Sequence, residues 1–319
     1  MTEPRPFRFG VINETPLPAV DWVEQVRRIE TLGYATFLIR DHFTPDFFGD
    51  QFAPLVALAA ASGATTRLRV GTLVIDNDFR HPAMLAKEAA TLDLLSGGRL
   101  ELGLGAGWMR REYEAAGIAY DRAGLRIDRL EEAIAVLKGL FADGAFSHCG
   151  THYQIDQLDS YPKPVQRPHP PLLIGGGKRR VLTLAGREAD IVSILTSSVA
   201  SGSVEDDPVE RTAPAVRHKL DWIRTGAGER FEQIELCLIP TLIATDNPRR
   251  RARELIVERH WRDVTIDDVL EMPSMLFGSE DEMAATLRRR RDEFGFSYYI
   301  VSDKIAERFA PIVARLAGT

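Results

Sequence analysis

The sequence predicts a closed (β/α)8 TIM barrel, an α/β fold with insertions at the C-terminal face of its strands. Three observations predict it. Short apolar runs alternate with longer helical stretches eight times along 319 residues, and parallel neighbouring strands need crossovers of that length. The runs are near-continuous rather than alternating in polarity, as when both faces of a strand are covered. A barrel of this kind takes ~250 residues, so the chain holds one barrel plus about 70 residues of insertions rather than two domains.

Taken in order, Phe7 to Ile12 reads as the first strand. Ala19 to Leu32 follows as an amphipathic helix with Val20, Val23, Val26, Ile29 and Leu32 on one side, stopped by Gly33. Phe37 to Ile39 opens the second unit, whose helix runs from about Phe52 to Ala61 before Gly63. Val70 to Ile75 opens the third, with a helix from Pro82 to Leu95 that ends at Ser96-Gly97-Gly98. Arg99 to Leu104 is the fourth strand, and Ile127, Leu130, Ile134, Leu137 and Phe141 then repeat at helical spacing. Residues 143–170 break the rhythm with Gly144, Gly150, Pro162, Pro164, Pro168, Pro170 and Pro171, so they read as an insertion with a hairpin around Thr151 to Ile155. The rhythm resumes with Leu172-Leu173-Ile174 and a helix to Ala185, then Ile191 to Leu195 and a helix near Arg211 to Arg224. Leu236 to Ala244 is the seventh strand, followed by a helical region from Pro248 to Arg291 that a second insertion interrupts at about Thr265 to Gly278. Tyr298 to Val301 and a helix from Ala306 to Leu316 complete the set. Glycine-stopped joints at Gly33, Gly63, Gly97-Gly98, Gly186 and Gly295 mark the stability face. The long insertions are expected on the opposite rim, where active sites of this barrel gather.

Composition narrows the function. Hydrophobic residues at 45% and charged residues at 27% describe a chain that buries a large core. Lys plus Arg at 40 against Asp plus Glu at 46 leaves a net charge of −6, which argues against nucleic acid or an anionic membrane as partner. Cys149 and Cys237 stand alone, without disulfide or redox spacing, which suits a reducing compartment. Residues 1–6 lack the apolar core of a signal peptide, and no apolar run approaches the ~18 residues of a membrane span, so a cytoplasmic protein is expected.

The strand ends carry the candidate chemistry. Strand two ends in Asp41-His42, an acid and an imidazole at the barrel mouth. Strand three leads into the polar run Asp76-Asn77-Asp78 and then Arg80-His81-Pro82, where Pro82 starts a helix. Strand four runs into Gly103-Leu104-Gly105-Ala106-Gly107-Trp108; its spacing is not a dinucleotide fingerprint, but glycines there let a flat ring approach the backbone. Strand five ends in Gly175-Gly176-Gly177-Lys178 before a helix, an anion site without P-loop spacing. The loop from Thr196 to Arg211 has the composition and position of a lid, and its composition fits a disordered linker equally well. His148-Cys149 with His152 lacks a second pair, so no metal site is assigned. Arg249 to Arg251 and Arg288 to Arg291 read as solvated helix faces, and Glu131-Glu132 as a polar helix side. There is no G-x-S-x-G elbow and no strand lysine for covalent catalysis.

Together Asp41-His42-Phe43, Arg80-His81-Pro82, Leu95-Ser96-Gly97-Gly98-Arg99, the glycine run ending at Gly107-Trp108 and Ile174-Gly175-Gly176-Gly177 resemble the bacterial luciferase-like flavin and deazaflavin oxidoreductases. Within them the chain is most similar to the branch that uses coenzyme F420, including Lys219-Leu220-Asp221-Trp222-Ile223-Arg224. The resemblance implies one luciferase-like TIM-barrel domain over residues 1–319, an enzyme, a homodimer, and a cofactor at the C-terminal mouth. It places a non-proline cis peptide at Leu73-Val74. It puts Asp41, Asn77, Gly105, Gly107 and Trp108 beside the ring, and Gly175, Gly176, Gly177 and Lys178 at the phosphate. His42 is the expected proton donor or acceptor, with Asp41 positioning the ring or His42. Trp108 and Asp46 stand where the sugar-phosphate dehydrogenases of that branch carry glutamate and tryptophan, so a less polar small-molecule substrate is expected. The rival readings are an FMN-dependent monooxygenase of the same superfamily and a catalytically silent cofactor-binding protein.

Overall fold

The structure is a computed structural model that describes residues 4–16, 18–45, 49–197, 199 and 201–319. Asp46 and two positions of the loop from Thr196 to Arg211, 198 and 200, lie outside the described residues. Eight parallel strands form the barrel: β1 Arg8–Ile12, β2 Thr36–Ile39, β3 Arg69–Thr72, β4 Leu100–Gly105, β5 Leu172–Gly176, β6 Ile191–Ile194, β7 Glu235–Leu238 and β8 Phe296–Ser302. They are ordered β3-β2-β1-β8-β7-β6-β5-β4, and pairing of β3 with β4 closes the cylinder. The helices that return the chain are α1 Ala19–Thr31, α2 Pro54–Ala64, α3 Pro82–Leu95, α4 Ala123–Phe141, α5 Arg179–Glu188, α6 Ala213–Ala227, α7 Glu280–Phe294 and α8 Ala306–Leu316. Among the described residues no helix is long and apolar enough to cross a membrane.

Strand periodicity splits the core in two, because successive side chains point to opposite faces. Phe37 and Ile39 face the helix layer with Val26, Ile29 and Leu58. Leu38 between them turns into the barrel lumen with Ile12, Leu173, Cys237, Tyr298 and Ile300. At the N-terminal end the lumen is plugged by charge. Arg8 lies 3.7 Å over the Tyr298 ring and binds Glu101 at 2.5 Å and Glu235 at 2.6 Å, while Arg69 binds Glu101 at 2.7 Å.

Three expectations change. The third strand is broken: β3 stops at Thr72, the Leu73-Val74 peptide is cis, and Ile75–Asp76 resumes pairing beside β4. The seventh strand stops at Leu238 instead of running to Ala244, since Pro240 has no N–H to offer the ladder. Thr241–Ile243 pairs instead with Met275–Phe277 outside the barrel, over a cluster of Ala252, Leu255, Trp261, Val269 and Met272.

The third change concerns the insertion at 143–170, which was expected on the catalytic rim. It follows α4, whose 19 residues carry the chain roughly 28 Å back to the N-terminal face. Its hairpin, Phe146–Cys149 with Gln154–Leu158, climbs the outside of the barrel, held where Glu132 accepts the backbone N–H groups of His152 at 2.9 Å and Tyr153 at 2.8 Å. The return leg is pinned near the end of α3, where Asp93 accepts from Gln166 N at 2.9 Å and Nε2 at 2.7 Å. His148 also meets Glu132, at 3.1 Å.

Candidate active site

The C-terminal ends of the strands surround a cavity of about 300 Å³. Asp41, His42, Leu73, Val74, Gly105, Gly107, Trp108, Gly175, Gly176, Gly177 and Lys178 all line it, so the topology brings together strand ends far apart in sequence. Asn77 is buried but is not among the lining residues; its side-chain amide donates to the Tyr153 hydroxyl at 3.2 Å.

The floor is built by the cis peptide and the glycines packed against it. A Cβ on Gly105 would come within 2.6 Å of Val74 Cγ2, and one on Gly175 within 3.3 Å of Val74 Cγ1. Gly107 adopts φ +69°, and a side chain there would run into the Tyr113 hydroxyl. This turn is clamped from α4, where the buried Arg126 donates to Ala106 O at 3.1 Å and Gly107 O at 3.3 Å.

On one wall His42 Nδ1 donates to Glu112 Oε2 at 2.8 Å. Glu112 lies on the short helix Arg110–Ala116 and is only 1% exposed. Burial alone would raise its pKa, but the hydrogen bonds from His42 and from the backbone and hydroxyl of Thr44 outweigh it and hold the carboxyl below the usual range. Glu112 therefore stays ionised and fixes the proton on Nδ1, which leaves the lone pair of a neutral imidazole on Nε2. The indole of Trp108 stands edge-on to His42 with centroids 5.7 Å apart. Asp41 is engaged elsewhere: it takes a two-pronged ion pair from Arg80 at 2.5 and 3.1 Å and accepts Asp76 N at 3.1 Å. The carboxylate on His42 Nδ1 is thus that of Glu112, a residue the sequence reading passed over, as it did Arg126.

Asp76 is a third buried acid in the cavity wall, beside Asp41 and Glu112. Burial pushes its pKa up to about 7, against the hydrogen bond from Tyr113 at 2.7 Å. A folded-state value above the unfolded one means the native protein binds the extra proton, so stability falls as pH rises between about 4 and about 7. Asp76→Asn removes that dependence. Its melting temperature should gain on the wild type by several degrees between pH 5 and pH 8 in thermal melts; a pH-independent difference would contradict the buried-acid account.

At the opposite end, Gly175-Gly176-Gly177 leads into the N-terminus of α5, where backbone N–H groups gather. Lys178 pairs with Glu210 at 2.5 Å, and Glu210 also holds the buried Lys219 at 2.8 Å. In the loop after β6, Asp206 accepts from Arg211 at 2.7 Å, Arg259 at 3.1 Å and Trp261 Nε1 at 3.0 Å, tying the loop to the insertion after β7. Val199 and Ile239 from these segments join the cavity lining.

A family model described as luciferase-like monooxygenase matches residues 6–298. An FMNH2-dependent dimethylsulfone monooxygenase of Pseudomonas putida is 30% identical over 203 residues, 63% of this chain but only 56% of that enzyme's length. An F420-dependent glucose-6-phosphate dehydrogenase of Kribbella flavida is 27% identical over 307 residues, covering 88% of this chain and 87% of that one. The solved structure of an F420-dependent secondary alcohol dehydrogenase in complex with an F420-acetone adduct superposes with a TM-score of 0.74 at 19% identity, over 98% of this chain and 99% of that one. This last likeness speaks to the fold.

Proposed function

The chain belongs to the luciferase-like monooxygenase family, and from that premise we propose that it is an oxidoreductase using coenzyme F420 to move a hydride to or from a small, weakly polar substrate. The observation that carries this reading is the His42–Glu112 pair, at 2.8 Å, on the wall of a cavity floored by glycine and a cis peptide. The residues fit a flat ring bearing an anionic arm: Gly105 and Gly175 let Val74 pack against their backbone and Gly107 does the same for Tyr113, which keeps those positions of the floor free of side chains, and the glycine run before α5 offers backbone donors. One relative that matches over most of both chains is F420-dependent.

Bound there, the coenzyme supplies two-electron hydride chemistry. The protein's share is orientation, exclusion of water and proton handling. Leu73, Val74 and the glycines orient the ring, and Gly176, Gly177 and Lys178 hold the arm. Met109, Leu195, Val199 and Ile239 give the cavity an apolar wall against water and select substrates of low polarity. His42 takes or gives a proton at Nε2, with Glu112 stabilising the imidazolium. Asp41 keeps the base of the site in place through Arg80.

The match to the dimethylsulfone monooxygenase favours the FMN reading as second. Titrating the purified protein with each cofactor separates the two. Quenching of deazaflavin fluorescence should saturate at low micromolar coenzyme or below, with FMN much weaker; tight FMN binding without F420 binding would overturn the proposal.

A further inference from the structure

Of the three buried acids in the cavity wall, Asp41 pairs with Arg80 and Glu112 with His42, whereas Asp76 has no cationic partner among the described residues. Its carboxyl group accepts the Tyr113 hydroxyl at 2.7 and 2.8 Å and the Asp78 N–H at 3.0 Å, and a side chain on Gly107 would run into both of its oxygens. The cations around it are engaged elsewhere. Arg129 binds Asp78 and Asp121, and Arg126 donates to the backbone carbonyls of Ala106, Gly107 and Asp121. The charges of Asp41 and Asp78 add to burial in disfavouring a third carboxylate beside them. Tyr113 has one proton to offer and two takers, since Asp78 Oδ2 stands 3.3 Å from the same hydroxyl. A proton on Asp76 resolves that competition: the acid donates to the Tyr113 oxygen, and the Tyr113 hydroxyl turns to Asp78, whose charge Arg129 meets at 2.8 Å.

We infer that Asp76 takes up a proton when a flat ring is seated in the cavity, with Tyr113 redirecting its hydroxyl to Asp78 as it does so. The inference rests on the reading that a deazaflavin or flavin ring occupies this site. Asp76 is 8% exposed and lines the cavity, so a ring lying there shuts off the solvent that still reaches its carboxyl. A carboxylate buried without a cation then favours its neutral form. A neutral wall suits hydride chemistry, because an ionised carboxylate alongside would oppose the negative charge that a hydride brings in. The two proton-binding groups thus divide the work: His42 exchanges a proton with the substrate, and Asp76 sets the charge of the wall.

The experiment follows the dissociation constant of coenzyme F420, and separately of FMN, from pH 6 to pH 9 by fluorescence in wild type, Asp76→Asn and Tyr113→Phe. Asparagine mimics the neutral acid, so Asp76→Asn should bind like wild type at pH 6, which also reports that it folds. Asp76 of the free protein titrates at about 7. Above that value wild-type affinity should fall by roughly five- to tenfold per pH unit relative to Asp76→Asn, in which only the pH dependence of the cofactor and of the other groups remains. Tyr113→Phe removes a hydrogen bond that favours the ionised form, so the onset of the fall should move to higher pH. Infrared titration of the cofactor-free protein gives a reading independent of binding: a C=O band of neutral carboxylic acid should fade as pH rises through about 7 in wild type and be missing from Asp76→Asn. Parallel affinity profiles in wild type and Asp76→Asn, or a band that titrates alike in both, overturn the inference and leave the cofactor reading standing. Profiles that diverge with FMN while coenzyme F420 does not bind keep the role of Asp76 and overturn the F420 reading. Binding of neither cofactor overturns both.

Discussion

His42→Ala is expected to lower turnover by about 10²- to 10⁴-fold, the range over which a positioned general acid or base acts, while leaving cofactor affinity nearly intact. Glu112→Gln sharpens the case because it keeps the shape and changes one proton. The glutamine oxygen can still accept from the Phe43 and Thr44 amides, which meet Glu112 Oε1 at 2.8 Å in the wild type. Its amide nitrogen then faces His42 Nδ1 and donates to it, so the ring proton moves to Nε2 and the base is lost. Turnover should fall by on the order of 10²-fold or more, with the cofactor dissociation constant little changed and the pH profile of kcat/KM altered. A residue that merely packs would lower stability without moving that profile. Unchanged turnover in His42→Ala would remove the imidazole from the mechanism, and an unchanged profile in Glu112→Gln would remove its partner.

The barrel was legible because its signals are local and repeated: eight apolar runs, eight helices and glycine-stopped joints each speak for themselves in a short window. The candidate site was legible wherever a residue type is rare for a physical reason. Gly105, Gly107 and Gly175 are glycine because Val74 or Tyr113 fills the space a side chain would take. Glu112 left no such mark. In Arg110-Arg111-Glu112-Tyr113-Glu114 it looks like one charge of a solvated helix, and only the tertiary approach of residues 42–44 buries it. Arg126 is hidden in the same way, as one of two arginines on α4. The misplaced insertion has a different cause. Proline and glycine announce that residues 143–170 are irregular, but only the length of α4 says at which end of the barrel they begin. Strand seven misled because Leu242 and Ile243 are apolar enough for a barrel strand yet pair with Leu276 and Phe277 instead.

Glu101→Ala should cost about 3 kcal/mol or more of stability, because removing one partner of a buried ion pair strands the other. Here Arg69 loses its carboxylate partner and Arg8 is left with Glu235 alone. Glu101 is 2% exposed and takes both Arg8, at 2.5 Å, and Arg69, at 2.7 Å. In a chain of this size such a loss lowers the melting temperature by roughly 4–5 °C or more. The two arginines more than offset burial, which alone would raise the Glu101 pKa, so the folded value lies below the ordinary one. The stability it adds is thus complete above the usual glutamate range and fades as pH falls through the depressed folded value. The gap between wild type and Glu101→Gln should therefore be widest near neutrality and close toward acid. That is a comparison opposite in sign to the one made with Asp76→Asn. Cofactor affinity of the folded variant should stay at its wild-type value, because the charged plug lies at the N-terminal end of the strands and the cavity at the other. A melting gap that does not narrow as pH falls below the usual glutamate range, or a variant as stable as wild type, would show that the plug does not hold the barrel closed; weakened cofactor binding would show that the two ends are coupled.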